Sequence, residues 1–228
     1  RPWELTVGTC ERVQDKPYCL RYHHPFQPLV SGAKGPAWLE SLELVVNWRH
    51  GGLEILNFAG SAPRNLLVQF TGGVAFSPMG AEFAGRMHRF ASMFDAVGRS
   101  AIGPDLPLVL ANMNSSLGRE VASSLNPSVT FTVGDVERLP LLPIADCDLI
   151  VEHLEATFTT HETHREPSVE FRRPGPSPWR HAQAWAQLAV DRPEGAPLPE
   201  YGEELDPEPP TDPLSFALGV ALGRFGPA

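Results

Sequence analysis

Three groups of residues in this chain have side chains able to do chemistry, and two of them lack the spacing for it. His161-Glu162-Thr163-His164 sets two imidazoles beside a carboxylate, with Cys147 fourteen residues upstream. Two histidines hold zinc from one helix face when they stand four residues apart. Here the second falls one residue early, so no metal site is expected. Gly219, Gly223 and Gly226 do not follow a strand and make no nucleotide loop, and no Gly-x-Ser-x-Gly turn carries a hydrolase nucleophile. The third group consists of donors: Arg49-His50 ahead of Gly51-Gly52, and Asn114-Ser115-Ser116 inside an apolar run. Arginine's planar fork can read guanine in a DNA groove. Small polar side chains can donate to phosphates, which sets register and carries no base identity. Each has a plainer reading beside it: a hairpin tip is exposed in any case, and Asn114, Ser115 and Ser116 can pack against a neighbouring strand instead.

The elements that would position these residues follow from periodicity. The first forty residues, broken by prolines 17, 25, 28 and 36, read as loops around a small platform. Residues 42–46, 53–56 and 66–70 are strand-like, with Arg49-His50-Gly51-Gly52 as a hairpin turn. Met79, Phe83, Met87, Phe90 and Phe94 recur at helical steps and predict a helix on that sheet. Leu106, Leu110, Met113, Leu117, Val121 and Leu125 predict a second helix, ended by Asn126-Pro127. Val129, Phe131 and Val133 alternate as a half-buried strand before a Gly134-Asp135 turn, where Asp135 and Arg138 would pair. Beyond Pro140, Asp146 or Asp148 caps a helix using Leu149, Ile150, Leu154 and Phe158, and Ser177-Pro178 starts another through Arg192. Residues 193–213 hold seven prolines and seven acids with no basic residue, the composition of an extended, solvated linker that makes no DNA contact. Asp212-Pro213 then starts an apolar helix over Leu214, Leu218, Ala221 and Leu222.

At 228 residues and 42% hydrophobic, the chain can bury a core of its own. No run approaches a membrane span, and Arg1-Pro2-Trp3-Glu4 is no signal peptide, so a cytoplasmic location is expected. Cys10, Cys19 and Cys147 are too few and too scattered for a disulfide framework and are expected as thiols. The net charge of −9 weighs against a nucleic-acid partner. Its distribution weakens that objection, since residues 1–140 carry 12 acidic and 12 basic side chains and residues 141–228 carry 15 and 6. A locally neutral half can still present arginines on one face.

Taken in order, several segments resemble one family. Leu108-Val109-Leu110-Ala111-Asn112-Met113-Asn114-Ser115-Ser116, followed by Leu125-Asn126-Pro127-Ser128-Val129-Thr130-Phe131-Thr132-Val133-Gly134-Asp135-Val136-Glu137-Arg138-Leu139-Pro140, resembles the "LLNS…lNPT…fqvGDI..LP" block. That block belongs to the target-recognition region of large adenine-specific DNA methyltransferases: the phage-growth-limitation (BREX-type) and DISARM-type methylases and type IIG restriction-modification enzymes. Upstream, Leu44-Val45-Val46-Asn47-Trp48-Arg49-His50-Gly51-Gly52-Leu53-Glu54-Ile55 is similar to "yVVNWe.dG.ei". Gly72-Gly73-Val74-Ala75-Phe76-Ser77 with Phe83, Arg86, Phe94-Asp95 and Gly98-Arg99-Ser100 is similar to "gvtwS…fs.R…g.iFD..G.s". Downstream, His161-Glu162-Thr163-His164-Arg165-Glu166-Pro167-Ser168 and the segment from Ser215 to Phe225 resemble "HE.s.e.s" and "SYavGc.fGR".

The resemblance implies an α/β (α+β) domain, a small mixed sheet with packed helices, that binds duplex DNA and positions an adenine for a methyltransferase domain. Its setting would be bacterial antiviral defence or restriction-modification. Ser77, Arg86, Arg89 and Arg99 lie around the family's serine and arginine and join Arg49, His50, Asn114 and Ser115 as expected DNA contacts. The plainer reading of Arg86 is a surface arginine or an ion pair with Glu82 or Asp95. Catalytic motifs are lacking. Asn126-Pro127-Ser128-Val129 has neither the second proline nor the aromatic ring of the loop that holds a flipped adenine. The methyltransferase fold, with its S-adenosylmethionine, is therefore expected before Arg1, with further chain after Ala228 and no cofactor in this segment. The expected organisation is a recognition domain over 1–145, a helical linking segment over 146–192, the acidic linker over 193–213 and the start of a C-terminal helical region over 214–228. The alternative is a protein-interaction module that docks other defence-system subunits through its acidic linker and last helix.

Overall fold

Val74-Ala75-Phe76 and Gly85-Arg86-Met87 are two runs in which every residue is buried, the pattern of strands covered on both faces. They form the centre of a sheet. The computed structural model describes residues 26–31, 38–42, 44–61, 65–76, 83–95, 98–128, 130–166, 168 and 170–223. In chain order they form β1 (Phe26–Val30), β2 (Trp38–Leu39), β3 (Leu44–Asn47), α1 (Arg49–Asn57), a 3-10 turn (Leu66–Val68), β4 (Val74–Phe76), β5 (Gly85–Met87), β6 (Met93–Phe94) and β7 (Ser100–Ala101). The helices α2 (Leu106–Asn114), α3 (Ser116–Leu125), α4 (Val133–Val136), α5 (Cys147–His164), α6 (Trp179–Val190) and α7 (Asp212–Ala221) follow. β1 carries β3 antiparallel on one side and β6 parallel on the other. The second sheet runs β2-β5-β4-β7, with β2 parallel to β5 and the other pairs antiparallel. This is the expected α+β class of small mixed sheets with packed helices.

One core joins the second sheet to the helices. Trp38, Leu39, Val74, Phe76 and Met87 meet Leu110 and Met113 of α2, Ile150, Leu154 and Phe158 of α5, and Ala182, Ala186 and Ala189 of α6. The three alanines are fully buried and recur at steps of four and three, a narrow stripe that lets α5 and α6 lie close together. The three helices after Pro140 begin near their sequence signals. Asp146 does occupy the position before α5, but its carboxylate takes Arg192 at 2.6 Å instead of capping the helix.

The first 140 residues depart further from expectation. Residues 53–56 belong to α1 and 66–68 to the 3-10 turn, and β5 and β6 lie where a helix over Met79 to Phe94 is predicted. Phe83 and Met87 are buried and β5 is covered on both faces, while Phe90 and Phe94 are half-buried, so a short strand and its flanks imitate helical spacing. The predicted helix over 106–125 is two helices. Ser115 is extended, and its hydroxyl accepts the Gly118 N–H at 3.0 Å to cap α3. In place of the predicted strand over 129–133, the described residues 130–132 lead directly into α4: among residues 130–133 only Phe131 is buried, and Val133 is half exposed.

Residues 197–209 are extended yet held against α6. Trp185 Nε1 donates to Pro199 O at 2.8 Å, Tyr201 packs on His153 and Trp185, and Asp206 exchanges two backbone hydrogen bonds with Ser177. Arg180 grips the Asp206 carboxylate as well.

His88, directly after β5, is buried with Nε2 2.9 Å from Ser100 Oγ on β7. Burial pushes its pKa down to about 4. The unfolded chain binds that proton near 6.5, so this share of stability is fully present above 6.5 and is lost as pH falls toward 4. In urea unfolding from about pH 7.5 to about pH 4.5, the wild-type chain should lose roughly 2–3 kcal/mol more than His88→Gln. Equal losses would show that His88 does not titrate as a buried group.

Candidate nucleic-acid interface

Arg49 and His50 are exposed at the entry to α1. His50, Gly51 and Gly52 have φ of 54°, 70° and 76°, so the chain makes a left-handed turn before the regular helical turns begin. Glycine accepts that conformation without steric cost. A Cβ on Gly52 would also lie 2.6 Å from the Trp48 ring, which packs edge-on against Phe70 with centroids 5.4 Å apart. The tip is therefore exposed, as expected, but its shape comes from Trp48 seated on Gly52 and not from the hairpin turn expected over Arg49-His50-Gly51-Gly52. The same segment exposes Leu53 and Phe58, and Leu67 is 99% accessible. Reading residues 53–56 and 66–70 as strands hides them. Exposed apolar side chains of this kind can wedge between bases, and their position beside an arginine tip is the signal that was available.

Arg86, Arg89, Arg99, Asn114 and Ser115 are instead committed to internal partners. Arg86 is buried with Nε 3.7 Å from the Glu40 carboxylate, while Glu82, one of the partners expected for it, lies outside the described residues. The parallel register of β2 and β5 sets Trp38 opposite Arg86, which brings Glu40 near. Arg89 grips Glu170 at 2.6 and 3.2 Å and lies over the Phe158 ring. Arg99 donates to Phe131 O at 3.1 Å. Asn114 is completely buried and pairs both amide groups with the Gly85 backbone at 3.0 Å, while Ser115 caps α3. Arg86, Asn114 and Ser115 are buried, whereas Arg89 and Arg99 keep part of their side chains at the surface. Ser77 lies outside the described residues.

The two blocks around these residues are built the same way. Asn112 Nδ2 donates to Leu108 O and Leu142 O, and its Oδ1 accepts the Leu142 N–H. Asp135 and Thr132 form the capping box of α4. Asn126 and Arg138 also donate to the Asp135 carboxylate at 2.7 and 2.6 Å, the second being the expected ion pair. The Thr132 N–H, then the Asn126 amide, hold its pKa well below the usual carboxylate range. Glu162 is buried against Arg165, and His161 and His164 bond to Ser177 and to Pro176 O. Burial pushes the Cys147 thiol up to about 11, far from a reactive thiolate.

No family model matches the chain, and no curated protein matches it either.

Asn114→Ala should cost about 2–4 kcal/mol in urea unfolding, because it strands the buried N–H and C=O of Gly85. Little or no change would mean the clamp is dispensable. Arg86→Ala should cost about 3–5 kcal/mol, because it removes a buried guanidinium that faces the Glu40 carboxylate. A stable Arg86→Ala protein would return Arg86 to the list of DNA-contact candidates.

Proposed function

We propose that this chain is the duplex-DNA target-recognition domain of an adenine-specific, S-adenosylmethionine-dependent methyltransferase in a bacterial antiviral defence or restriction-modification system. The observation that carries this reading is that the segments resembling that family interlock. Phe83 and Phe131 pack with ring centroids 4.9 Å apart, Arg99 reaches Phe131 O across 32 residues, and Ser215 donates to Glu166 across 49. Asn114, Ser115, Asn126, Thr132 and Asp135 then have a common role as fasteners of one scaffold. Base reading falls to exposed groups outside the fasteners, with Arg49 and His50 first and the apolar side chains of the same segment beside them. Each good bidentate base contact adds on the order of 1–3 kcal/mol of discrimination. The methyl transfer itself, with base flipping and the cofactor, belongs to a methyltransferase domain on the same or a partner polypeptide. The described residues contain no helix long and apolar enough to cross a membrane.

A second reading has one observation in its favour. Leu214, Leu218 and Leu222 on or just after α7 are exposed, as a helix that docks on another defence subunit would be. Salt separates the two, because phosphate contacts weaken steeply with added salt and apolar docking does not.

Selection from a randomised duplex library at low salt should enrich a short motif, with the chain alone or joined to its methyltransferase domain. Arg49→Ala should weaken binding and reduce the slope of log K against log salt by about 0.9 if it touches one phosphate. Failure to enrich any motif in either form would remove DNA recognition and leave protein docking.

A further inference from the structure

Between β7, α2, α3, α4 and residues 139–142 lies a pocket of about 410 Å³, within the range of roughly 300–1,000 Å³ typical of small-molecule sites. Its walls are mainly apolar: Phe76, Val109, Met113, Val121, Val136 and Leu142. The frame is rigid. Asn112 ties α2 to Leu142, and the Thr132–Asp135 box pins α4.

The polar groups narrow the class of occupant. Asn112 lines the pocket, and both hydrogens of its Nδ2 are taken, by Leu108 O at 2.9 Å and Leu142 O at 3.0 Å. Ser100 also lines it, and its hydroxyl lies 2.9 Å from His88 Nε2 and 3.0 Å from Gly98 O. Whichever of the two takes the single hydroxyl hydrogen, the oxygen is left with acceptor capacity only. Glu137, exposed at the same wall, adds a carboxylate, and among the described residues the lining has no arginine, lysine or histidine. These side chains can accept hydrogen bonds but cannot donate them. Phosphates and carboxylates would meet a like charge with no cation in compensation. A hydrocarbon would fill the walls and leave the acceptors unused.

We propose that this pocket binds a small, uncharged, mainly apolar molecule bearing an O–H or N–H donor, of the phenol or indole type. The site is separate from the exposed Arg49 tip and does not depend on DNA binding.

The test titrates the full 228-residue chain with three probes of one ring system: 2-naphthol, naphthalene and 2-naphthoate. Calorimetry or probe fluorescence should show saturable binding of one equivalent of 2-naphthol and weaker binding of naphthalene. Binding of 2-naphthoate should be at least about tenfold weaker, the cost of setting an anion against a carboxylate and apolar walls. Val121→Trp should fill the cavity and abolish naphthol binding while the circular dichroism spectrum stays that of the wild type. If that variant does not fold, Val136→Trp from the facing helix makes the same test. The proposal fails if 2-naphthol does not saturate, if 2-naphthoate binds as tightly, or if a folded tryptophan variant retains full affinity.

Discussion

The bond pair between the Asn114 amide and the Gly85 backbone is the joint on which the rest of the molecule depends. Gly85 lies at the start of a fully buried strand, where its N–H and C=O have no water to turn to. A carboxamide supplies one acceptor and one donor in the geometry of a neighbouring strand, so α2 satisfies the first residue of this central strand with a side chain. The close approach favours glycine on the strand, since a Cβ there would lie 3.0 Å from Met113 and push it back by a few tenths of an ångström. Asn112, half a turn earlier, does the same for the backbone of Leu142. Two amides on one helix thus join the sheet on one side to the segment leading into α5 on the other.

The helix break at Ser115 follows from that joint. The chain after Asn114 must turn, and a serine in extended conformation both ends α2 and caps α3. Gly118 then comes so close to Asn112 O that an added Cβ would overlap it, which fixes the direction in which α3 leaves. The α6 side closes on the same point: Gln187 donates to Asn114 O, and Asp191 accepts from the Ser116 N–H and hydroxyl. Sheet, central helices and C-terminal helices meet within a few residues.

Arginine has a mainly architectural part in this chain. Arg89 with Glu170, Arg165 with Glu162, Arg192 with Asp146 and Arg180 with Asp206 join segments far apart or stiffen helix ends. A planar fork that satisfies two oxygens at once suits these sites better than an ammonium. The same use explains how the acidic C-terminal half stays folded: several of its carboxylates face arginines, and the proline-rich stretch is laid along α6 by Arg180, His181 and Trp185. Excess negative charge is left on the outer surface, away from the core.

Local signals in the sequence determined the helices after Pro140, the exposed glycine-backed tip at Arg49-His50 and the Asp135–Arg138 pair. Each rests on interactions within a few residues: a proline in a first turn, a stripe of apolar side chains at one period, a capping box, or glycines tolerating positive φ. Only the tertiary structure decided the two- and three-residue strands of the second sheet, the break at Ser115, the burial of Arg86 and Asn114 and the pairing of Arg89 with Glu170. Strands that short have too few residues to display alternation, and covering both faces removes it altogether. An arginine or asparagine has the same local pattern whether it faces a phosphate or a backbone group some thirty residues away. What distinguishes the two is the register of β2 against β5 and the descent of α2 onto Gly85, both set by packing between segments distant along the chain.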